Sequence, residues 1–400
     1  MFPPLLPSRI LVVSAGPSGL VFCRNLTTHR KFANVTLYER RDDVGGVWSA
    51  FHTFWYLDKS AEDPYSGEST DSNLPRWPSP AYPSCIGNVL PEHLSFSQFP
   101  FPTIKDPNQL FPTLVETHNY LHEFAQPFVH TGKIQLNIEV TCVEEKCDGC
   151  WKVEIRDWNQ VRGELKVEEW DTVRVLVIGN ANSDGSLLYL ALCSLRPHSD
   201  AADSRSSQTN GSPDKINAHL QDGTTLTGID FVHIPRGYEP YPDFVHVLNN
   251  TSLPSAACSA GPKSRTLIQL VDQNPHPESG TCVPSLHRHI LYAYNPTVAF
   301  IGSPMLFTPF TVNNVSSLWL SIVWSHTIPL LISPHTIPLL ISPPTPVPTL
   351  TEKLLQFEKD QLELIRNWRE SVDNPSALYS YGVLGALEEE YANRLGKEIV

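Results

Sequence analysis

Apolar and polar positions alternate along this chain in patterns that predict distinct elements. Residues 9–39 predict a buried strand, a glycine-rich turn, a helix and a second strand. Alternating apolar residues flank Asp148-Gly149, which is a preferred turn dipeptide, so a β-hairpin is expected over residues 134–157. A continuous apolar run predicts a further buried strand within residues 294–303. The chain therefore mixes strands and helices, and this indicates an α/β class.

Helical spacing of apolar residues marks two later segments. An amphipathic helix is expected to begin just after Phe111 and to end near Phe128. Thr349 and Glu352 match a capping box, in which two side chains satisfy the free N–H groups at a helix start. The spacing after them predicts a helix over residues 349–368. A shorter hairpin is expected over residues 217–233.

Length and charge limit the classes of function. A chain of 400 residues is long enough for two or three domains of roughly 100–200 residues each. Its formal net charge of −13 argues against a dominant nucleic-acid role, which needs clustered lysine and arginine. We therefore expect no nucleic-acid partner.

The charge is also unevenly distributed. Residues 289–351 contain no Asp, Glu, Lys or Arg, which raises the question of a membrane segment. The longest proline-free run there, residues 310–328, carries many polar residues, whereas a spanning helix needs about 20 mostly apolar ones. No transmembrane span is predicted, and peripheral membrane association stays open.

The N-terminus and the cysteines indicate a compartment. The opening sequence MFPPLLPSRILVV has no basic region and is interrupted by prolines, so it is not expected to be a secretory signal. The eight cysteines are then expected to be reduced thiols of a cytoplasmic protein. Cys147 and Cys150 could form a redox pair or half a zinc site, but zinc needs a second such pair. A plain hairpin turn is favoured, and no metal is predicted.

The strongest chemical signal follows the first strand. The stretch from Ser14 through Gly16, Pro17 and Ser18 to Gly19 matches the dinucleotide pattern G-x-G-x-x-G, with serine in the first position. The first position makes the tight turn, the second glycine lets the backbone approach a pyrophosphate, and the third allows helix and strand to pack closely. The helix N-terminus then offers N–H groups and a partial positive charge to the phosphates.

An acidic residue completes this pattern. Glu39 lies at the end of the second strand, twenty residues beyond Gly19, where a carboxylate can accept hydrogen bonds from the adenosine ribose. A strand before the glycines, a helix after them and an acid at this distance predict a nucleotide site. An ordinary strand-to-helix turn is the alternative.

The residues that follow resemble a protein class. Arg40 and the run Gly45-Gly46-Val47-Trp48 are similar to the E-[RK]-x-x-x-x-G-G-x-W stretch of flavoproteins with two dinucleotide domains. The paired glycines let the chain pass close to the flavin side of FAD. The resemblance assigns cofactor binding to Arg40, Gly46, Val47 and Trp48.

Further segments narrow the resemblance to flavin-containing monooxygenases, especially fungal ones. Residues 82–91 and 94–102 are similar to the family's T-N-x-P and M-x-F-x-D-F-P-F-P region. Residues 111–125 and 295–302 also fit that family. The resemblance covers most of residues 8–158 and a patch near the end of the chain.

The resemblance implies an activity and cofactors. Family members use NADPH to reduce FAD, which captures O2 as a C4a-(hydro)peroxyflavin and oxygenates a soft nitrogen or sulfur nucleophile of a small molecule. The family's active-site asparagine corresponds to Asn88. A side-chain amide both donates and accepts hydrogen bonds and carries no charge. The alternative is that Asn88 is a turn residue before Pro91.

A second nucleotide site, for NADPH, is implied after residue 175. Gly179, Asn180 and Ser183 fit the family's G-x-G-x-S-G, but Ala181 replaces the middle glycine. Asp184 places a carboxylate at the helix start, where it suits the helix dipole but repels phosphate. This copy of the motif is therefore degenerate.

The approach to this second motif also departs from the family. The family's linker motif F-x-G-x-x-x-H-x-x-x-Y is absent from the chain. Residues 168–171 pass straight into the strand at 173–179, as if an internal segment had been removed.

These observations predict a two-dinucleotide-domain α/β flavoprotein. A discontinuous, Rossmann-like FAD domain is expected over residues 1–171 and 286–345, enclosing a reduced NADPH-type domain over 172–285. A helical tail is expected over 346–400.

Three functional hypotheses remain at this stage. The first is an FAD- and NADPH-dependent monooxygenase with a small-molecule substrate and O2. The second is an FAD-binding relic or interaction protein, or a mispredicted gene product, that NADPH cannot reduce. The third is another flavin oxidoreductase, such as a disulfide reductase using Cys147 and Cys150, for which a hairpin turn is an unfavourable place.

Overall fold

A computed structural model places a parallel sheet at the centre of the chain. The structure describes residues 9–28, 32, 34–49, 77, 81, 85–146, 150–160, 163–170, 173–179, 206–208, 216–219, 225–229, 242–248, 264–267, 269, 283–325, 350–372 and 380–399.

The helices and strands of this part of the chain are numbered in chain order. The helices are α1 (Pro17–Thr28), α2 (Leu114–His130), α3 (Pro309–Trp324), α4 (Leu350–Ser371) and α5 (Glu388–Ile399). The strands are β1 (Arg9–Val13), β2 (Asn34–Tyr38), β3 (Ile134–Gln135), β4 (Ile138–Glu145), β5 (Trp151–Asp157), β6 (Glu164–Trp170), β7 (Val173–Gly179), β8 (Ser206–Gln208), β9 (Ile216–His219), β10 (Thr225–Ile229), β11 (Val245–Leu248), β12 (Ser264–Thr266), β13 (Leu286–His287), β14 (Leu291–Tyr292) and β15 (Val298–Ile301).

The main sheet has the order β13-β14-β15-β7-β1-β2-β3. The strands from β15 to β3 run parallel, while β13, β14 and β15 pair antiparallel. Strands of parallel sheets are covered on both faces and are therefore continuously apolar. The run Ile10-Leu11-Val12 and all of β15 are buried, as this rule requires. The predicted strand–turn–helix–strand unit and the buried strand after residue 294 are confirmed, and so is the α/β class.

Aromatic packing joins α1, α2 and α3 to one another. The ring of Phe22 in α1 meets that of Trp324 in α3 edge to face, with centroids 5.5 Å apart. Phe96 stacks on Phe310 of α3 at 5.3 Å and also touches Phe124 of α2 at 4.7 Å. Such pairs add stability beyond that of their buried area. The helices that surround the glycine-rich turn are thus packed against one another.

A second sheet, ordered β12-β11-β4-β5-β6, contains the predicted hairpin. Strands β4 and β5 pair antiparallel from Ile138↔Asp157 to Glu145↔Trp151. The turn dipeptide itself and Cys147 lie outside the described residues. Cys150 is half-buried. The hairpin prediction is confirmed in its pairing.

Strand β7 has an unexpected position. It pairs in parallel with β1 on one side and with β15 on the other, so it belongs to the main sheet. The domain boundary expected at residue 172 separates these residues from β1 and β15, the two strands with which β7 pairs. The pairing of three apolar strands, which is a long-range contact, decides the position of β7, whereas the glycine pattern after it carries no such information.

The chain divides into two compact units. One unit comprises residues 1–184 and 239–400, and the other comprises residues 185–238. The described part of the smaller unit is an antiparallel sheet of order β10-β9-β8. The pairing of β9 with β10 confirms the hairpin predicted over residues 217–233.

The C-terminal helices belong to the larger unit, and the predicted helix over 349–368 corresponds to α4. In α5, Glu398 pairs with Arg288 and accepts a hydrogen bond from the Trp319 indole at 2.8 Å. Glu388 accepts hydrogen bonds from the Thr308 N–H at 2.9 Å and hydroxyl at 2.7 Å, just before α3. The tail thus caps α3 from outside. Among the described helices, none combines the length and the apolar character needed to span a membrane.

A capping box at the start of α2 makes the first prediction. The Thr113 hydroxyl oxygen accepts from the Glu116 N–H at 3.2 Å, and Glu116 accepts in return from the Thr113 N–H at 2.8 Å. We expect Thr113→Ala to lower the free energy of unfolding by about 1 kcal/mol, measured by urea denaturation. Thr131→Ala, at the exposed C-terminal end of the same helix, is the matched control and should change it by less than about 0.5 kcal/mol. Equal effects of the two substitutions would contradict the capping role.

Candidate functional site

The turn between β1 and α1 is held in place by backbone hydrogen bonds from three directions. Ser14, in the first position of the glycine pattern, has φ of 84°, a left-handed conformation that favours glycine. Its N–H donates to the Tyr38 carbonyl at 2.8 Å. The Ala15 N–H donates to Glu39 at 2.6 Å, and the Ala15 carbonyl accepts from the Gly45 N–H at 2.9 Å. The turn therefore keeps the strained shape despite the serine.

Close packing explains the third position of the pattern. A Cβ atom added to Gly19 would lie 1.9 Å from the Ser14 carbonyl oxygen, which no side chain could tolerate. Pro17 and Ser18 are buried in the first turn of α1, and Gly16 is half-buried. This is the close helix-to-strand approach that the third glycine of a dinucleotide site provides.

Glu39 is buried at the end of β2 and has a structural role that the sequence did not reveal. One of its carboxylate oxygens accepts from the Ala15 N–H, and the other accepts from the Arg41 N–H at 3.0 Å. Glu39 is only 3% exposed. A carboxylate has about four acceptor positions. One of them therefore holds the turn, one binds the chain just after β2, and the others are available to hydroxyl groups of a ligand.

The paired glycines form a second turn beside the first. Gly45 and Gly46 have φ of 103° and 63°, and both lie in the left-handed region. A short 3₁₀ turn follows over Gly46–Trp48, in which Val47 and Trp48 are buried. Arg40, by contrast, is exposed. Its guanidinium lies 4.5 Å from the centre of the Trp77 ring, on the protein surface.

A histidine of α2, which the sequence analysis did not single out, supports the paired glycines. His118 Nε2 lies 2.9 Å from Asp43 Oδ2, and His118 Cδ2 would lie 3.3 Å from a Cβ on Gly45. Burial raises the pKa of Asp43, but hydrogen bonds from His118 and the Val44 N–H outweigh it, so the pKa lies below its usual value. The Asp43 carboxyl therefore favours its charged form. Its hydrogen bond to His118 holds the histidine against the paired glycines.

The ends of three parallel strands meet at this edge of the sheet. Gly179 ends β7 opposite Ile301 of β15, and Ile178 pairs with Val13 of β1. Gly302, directly after β15, has φ of 78°. In open parallel sheets, ligands bind outside the carboxyl ends of the strands. The structure thus brings Gly179 next to the first glycine-rich turn, while Asn180 and Ser183 lie outside the described residues.

Two buried polar atoms near this edge have no partner within the part of the chain that the structure describes. They are Ser49 Oγ, directly after the 3₁₀ turn, and Asn313 Oδ1, in the first turns of α3. Both residues are fully buried. Buried polar atoms are nearly always hydrogen-bonded, so such exceptions mark positions with a ligand or a functional constraint.

Asn88 lies away from these atoms along the chain, in an exposed turn before α2. The turn is attached to the start of α2, because Gly87 N–H donates to the Pro112 carbonyl at 2.8 Å and Ile86 pairs with Thr113. Among the described residues, no group of His, Cys, Asp and Glu side chains has the arrangement of a metal site.

Sequence comparisons agree with this geometry. Residues 12–61 match the family model of the NAD(P)-binding Rossmann-like domain. The chain is 31% identical over 170 residues to flavin-containing monooxygenase FMO GS-OX2 of Arabidopsis thaliana, and this match covers 42% of the chain and 34% of the relative. A putative FMO GS-OX-like 10 of the same plant is 27% identical over 262 residues, or 63% of the chain and 52% of the relative. The matches thus span about a third to a half of the relatives' length.

Solved structures show the same fold. S-allyl-L-cysteine S-oxygenase from Allium sativum superposes with a TM-score of 0.59 at 16% identity, covering 98% of this chain and 88% of its own. Tmm from Pelagibacter sp. gives the same TM-score at 15% identity, covering 98% and 86%. At such identities the likeness concerns the fold alone. Over part of its length the chain is thus similar in sequence to flavin-containing monooxygenases, and it shares the fold of the two solved structures.

Proposed function

We propose that this chain is an FAD-dependent monooxygenase that uses NADPH and O2 to oxygenate a soft nitrogen or sulfur nucleophile of a small molecule. The observation that carries the proposal is the pair of hydrogen bonds made by the Ala15 backbone. Its N–H is bound by Glu39 at 2.6 Å and its carbonyl by the Gly45 N–H at 2.9 Å. These two hydrogen bonds connect the proposed pyrophosphate-binding turn with Glu39, the proposed ribose-binding residue, and with the paired glycines proposed to lie near the flavin.

The residues present fit FAD. The first turn of α1, with Pro17, Ser18 and Gly19, would hold the pyrophosphate by its N–H groups. Glu39 has acceptor capacity left for the adenosine ribose. Gly46, Val47 and Trp48 would border the flavin side. The unpartnered Ser49 Oγ, directly after them, supports a polar ligand at this end of the site.

When bound, FAD supplies the oxygen chemistry, which protein side chains alone do not provide. The protein residues then have to orient the cofactor and exclude water. Buried Val47 and Trp48 supply an apolar wall for this purpose. We assign Asn88 the role of a neutral amide that hydrogen-bonds to the reacting groups without adding charge.

Gly179, Asn180 and Ser183 are the residues proposed to bind NADPH, which would reduce the FAD. One observation favours a second candidate function, namely an FAD-binding protein that NADPH does not reduce. Gly179 ends a strand of the main sheet, beside β1, rather than opening a separate parallel sheet. The same peptide cannot both complete the first sheet and start an independent second one.

The proposal includes the setting of the enzyme. We infer a cytoplasmic protein whose partners are a small-molecule substrate and O2, with no nucleic acid. The net charge of −13 supports the last point, because phosphate backbones repel an acidic surface.

Removal of the Glu39 charge tests the FAD site. We expect Glu39→Gln to weaken FAD binding by about ten-fold or more, since an amide at this position loses charge-assisted hydrogen bonds from buried N–H groups. The measurement is FAD affinity by fluorescence quenching on the apoprotein. Glu123→Gln, on the exposed side of α2, is the control and should leave affinity unchanged. Wild-type affinity in Glu39→Gln would contradict the assignment.

Anaerobic mixing with NADPH tests the proposed function. We expect the FAD-loaded protein to lose its flavin absorbance on NADPH addition and, with air and a dialkyl sulfide, to form the sulfoxide. Asn88→Ala should keep FAD affinity but shift product from sulfoxide toward hydrogen peroxide, by about ten-fold or more if the amide contributes in the usual range for a positioned polar group.

The two functions give opposite results in this experiment. A yellow protein whose flavin NADPH does not bleach would support the FAD-binding alternative. A protein that cannot be loaded with FAD at all would contradict both.

A further inference from the structure

Two similar hydrogen bonds join α1 to α3. Near the start of α1, the Asn313 side-chain amide donates to the Ser18 hydroxyl at 2.7 Å. Two turns further along, the Asn25 amide donates to the Ser317 hydroxyl, also at 2.7 Å. All four side chains are at least 95% buried. The two bridges therefore have the same chemistry, length and burial but differ in their distance from the glycine-rich turn.

The first bridge lies against the carboxyl edge of the main sheet. A Cβ on Gly302 would lie 3.2 Å from both amide atoms of Asn313 and 3.4 Å from the Ser18 hydroxyl. Gly302 thus lets the end of β15, the first turn of α1 and the start of α3 meet at one point. Ser18 is one of the residues whose N–H groups would face the pyrophosphate.

The first bridge also carries a cost that the second lacks. Within the described residues, Asn313 Oδ1 has no hydrogen-bond partner. Turning the amide over would leave the nitrogen unpartnered instead. A buried polar atom without a hydrogen-bond partner lowers the stability of the fold. Replacement of both partners of such a polar pair by apolar groups of the same shape is often neutral or stabilising. Stability alone therefore does not account for asparagine at this position.

We propose that Asn313 is a positioning residue for the dinucleotide site. Through the Ser18 hydroxyl it fixes the rotation and height of the first turn of α1, so that the N–H groups of that turn are aligned before the cofactor arrives. The Asn25–Ser317 bridge only holds the two helices together. This inference rests on the dinucleotide binding of the proposed function, and it does not depend on turnover with NADPH.

The test compares variants of the Ser18–Asn313 hydrogen bond with a matched serine variant of the Asn25–Ser317 hydrogen bond. The proteins are wild type, Ser18→Ala, Asn313→Leu, the Ser18→Ala/Asn313→Leu double variant, and Ser317→Ala. The full chain is stripped of FAD, and each protein is measured for FAD affinity by titration and for thermal stability without FAD. Ser18→Ala and Asn313→Leu should each weaken FAD binding by about ten-fold, the value of one hydrogen bond at the upper end of its usual range.

Two further results separate positioning from packing. The double variant should bind FAD no more weakly than either single variant, because each change breaks the same bridge. Ser317→Ala should lower the melting temperature but change FAD affinity by less than about two-fold, consistent with an effect on stability alone. The Ser18→Ala/Asn313→Leu double variant should melt near the wild-type temperature without FAD, since it replaces both partners of the bond and removes the unpartnered Asn313 Oδ1.

Three results would overturn the inference. They are wild-type affinity in Asn313→Leu, losses that add in the double variant, and a loss in Ser317→Ala equal to that in Ser18→Ala. Additive losses would mean that Ser18 contacts the cofactor independently of Asn313. If Asn313→Leu does not fold, the two serine variants can still be compared. Ser18→Ala is expected to weaken FAD binding, and Ser317→Ala is expected to leave it nearly unchanged. A wild-type protein that binds no FAD would overturn the proposed function as well, whereas binding without NADPH reduction would leave this inference standing.

Discussion

The hydrogen bond from the Ala15 N–H to the Glu39 carboxylate is the interaction on which the rest of the site depends. It is short, at 2.6 Å, and lies between two buried groups 24 residues apart. A buried carboxylate is costly unless donors surround it, and here two backbone N–H groups do so. Because the bond joins the end of β2 to the turn after β1, it sets the distance between the Glu39 carboxylate and the first turn of α1. The left-handed Ser14 is tolerated because this bond and the Tyr38 carbonyl hold the turn from both sides.

The surrounding elements are arranged to keep this joint in place. Helix α3 packs against α1 beside the end of β15, and its start is capped by Glu388 from the C-terminal helix. Helix α2 supports the second glycine turn through His118 and Asp43. Each brace comes from a different part of the chain. The tail and the uncharged segment before it carry no sequence pattern that links them to the glycine-rich turns, yet both contribute to the geometry around these turns.

Features set by neighbouring residues could be predicted from the sequence. The strand–turn–helix–strand unit follows from apolar periodicity and from the need for glycine at residue 19. The β4–β5 hairpin follows from alternation around one turn dipeptide. These are local patterns whose physical cause lies within a few residues.

Contacts between distant residues could not be predicted in the same way. His118 and Asp43 are 75 residues apart, and Ser18 and Asn313 are 295 apart. A histidine in an amphipathic helix and an asparagine in an uncharged segment carry no local sign of their partners. Their pairing depends on where α2 and α3 land on the sheet, which is decided by aromatic and aliphatic packing.

Strand β7 shows why a glycine motif alone does not define a domain. Its residues resemble the opening of a second nucleotide unit, yet a strand with an apolar sequence pairs wherever it can complete a parallel sheet. The gap between β1 and β15 offers hydrogen bonds on both of its edges, and leaving that gap open would expose two rows of unpaired backbone groups. A strand that fills it gains a full ladder on each side. The hydrogen bonds that β7 gains in the main sheet therefore decide its position, although the glycine motif after it resembles the start of a second domain. The end of β7 consequently lies at the same sheet edge as the first glycine-rich turn.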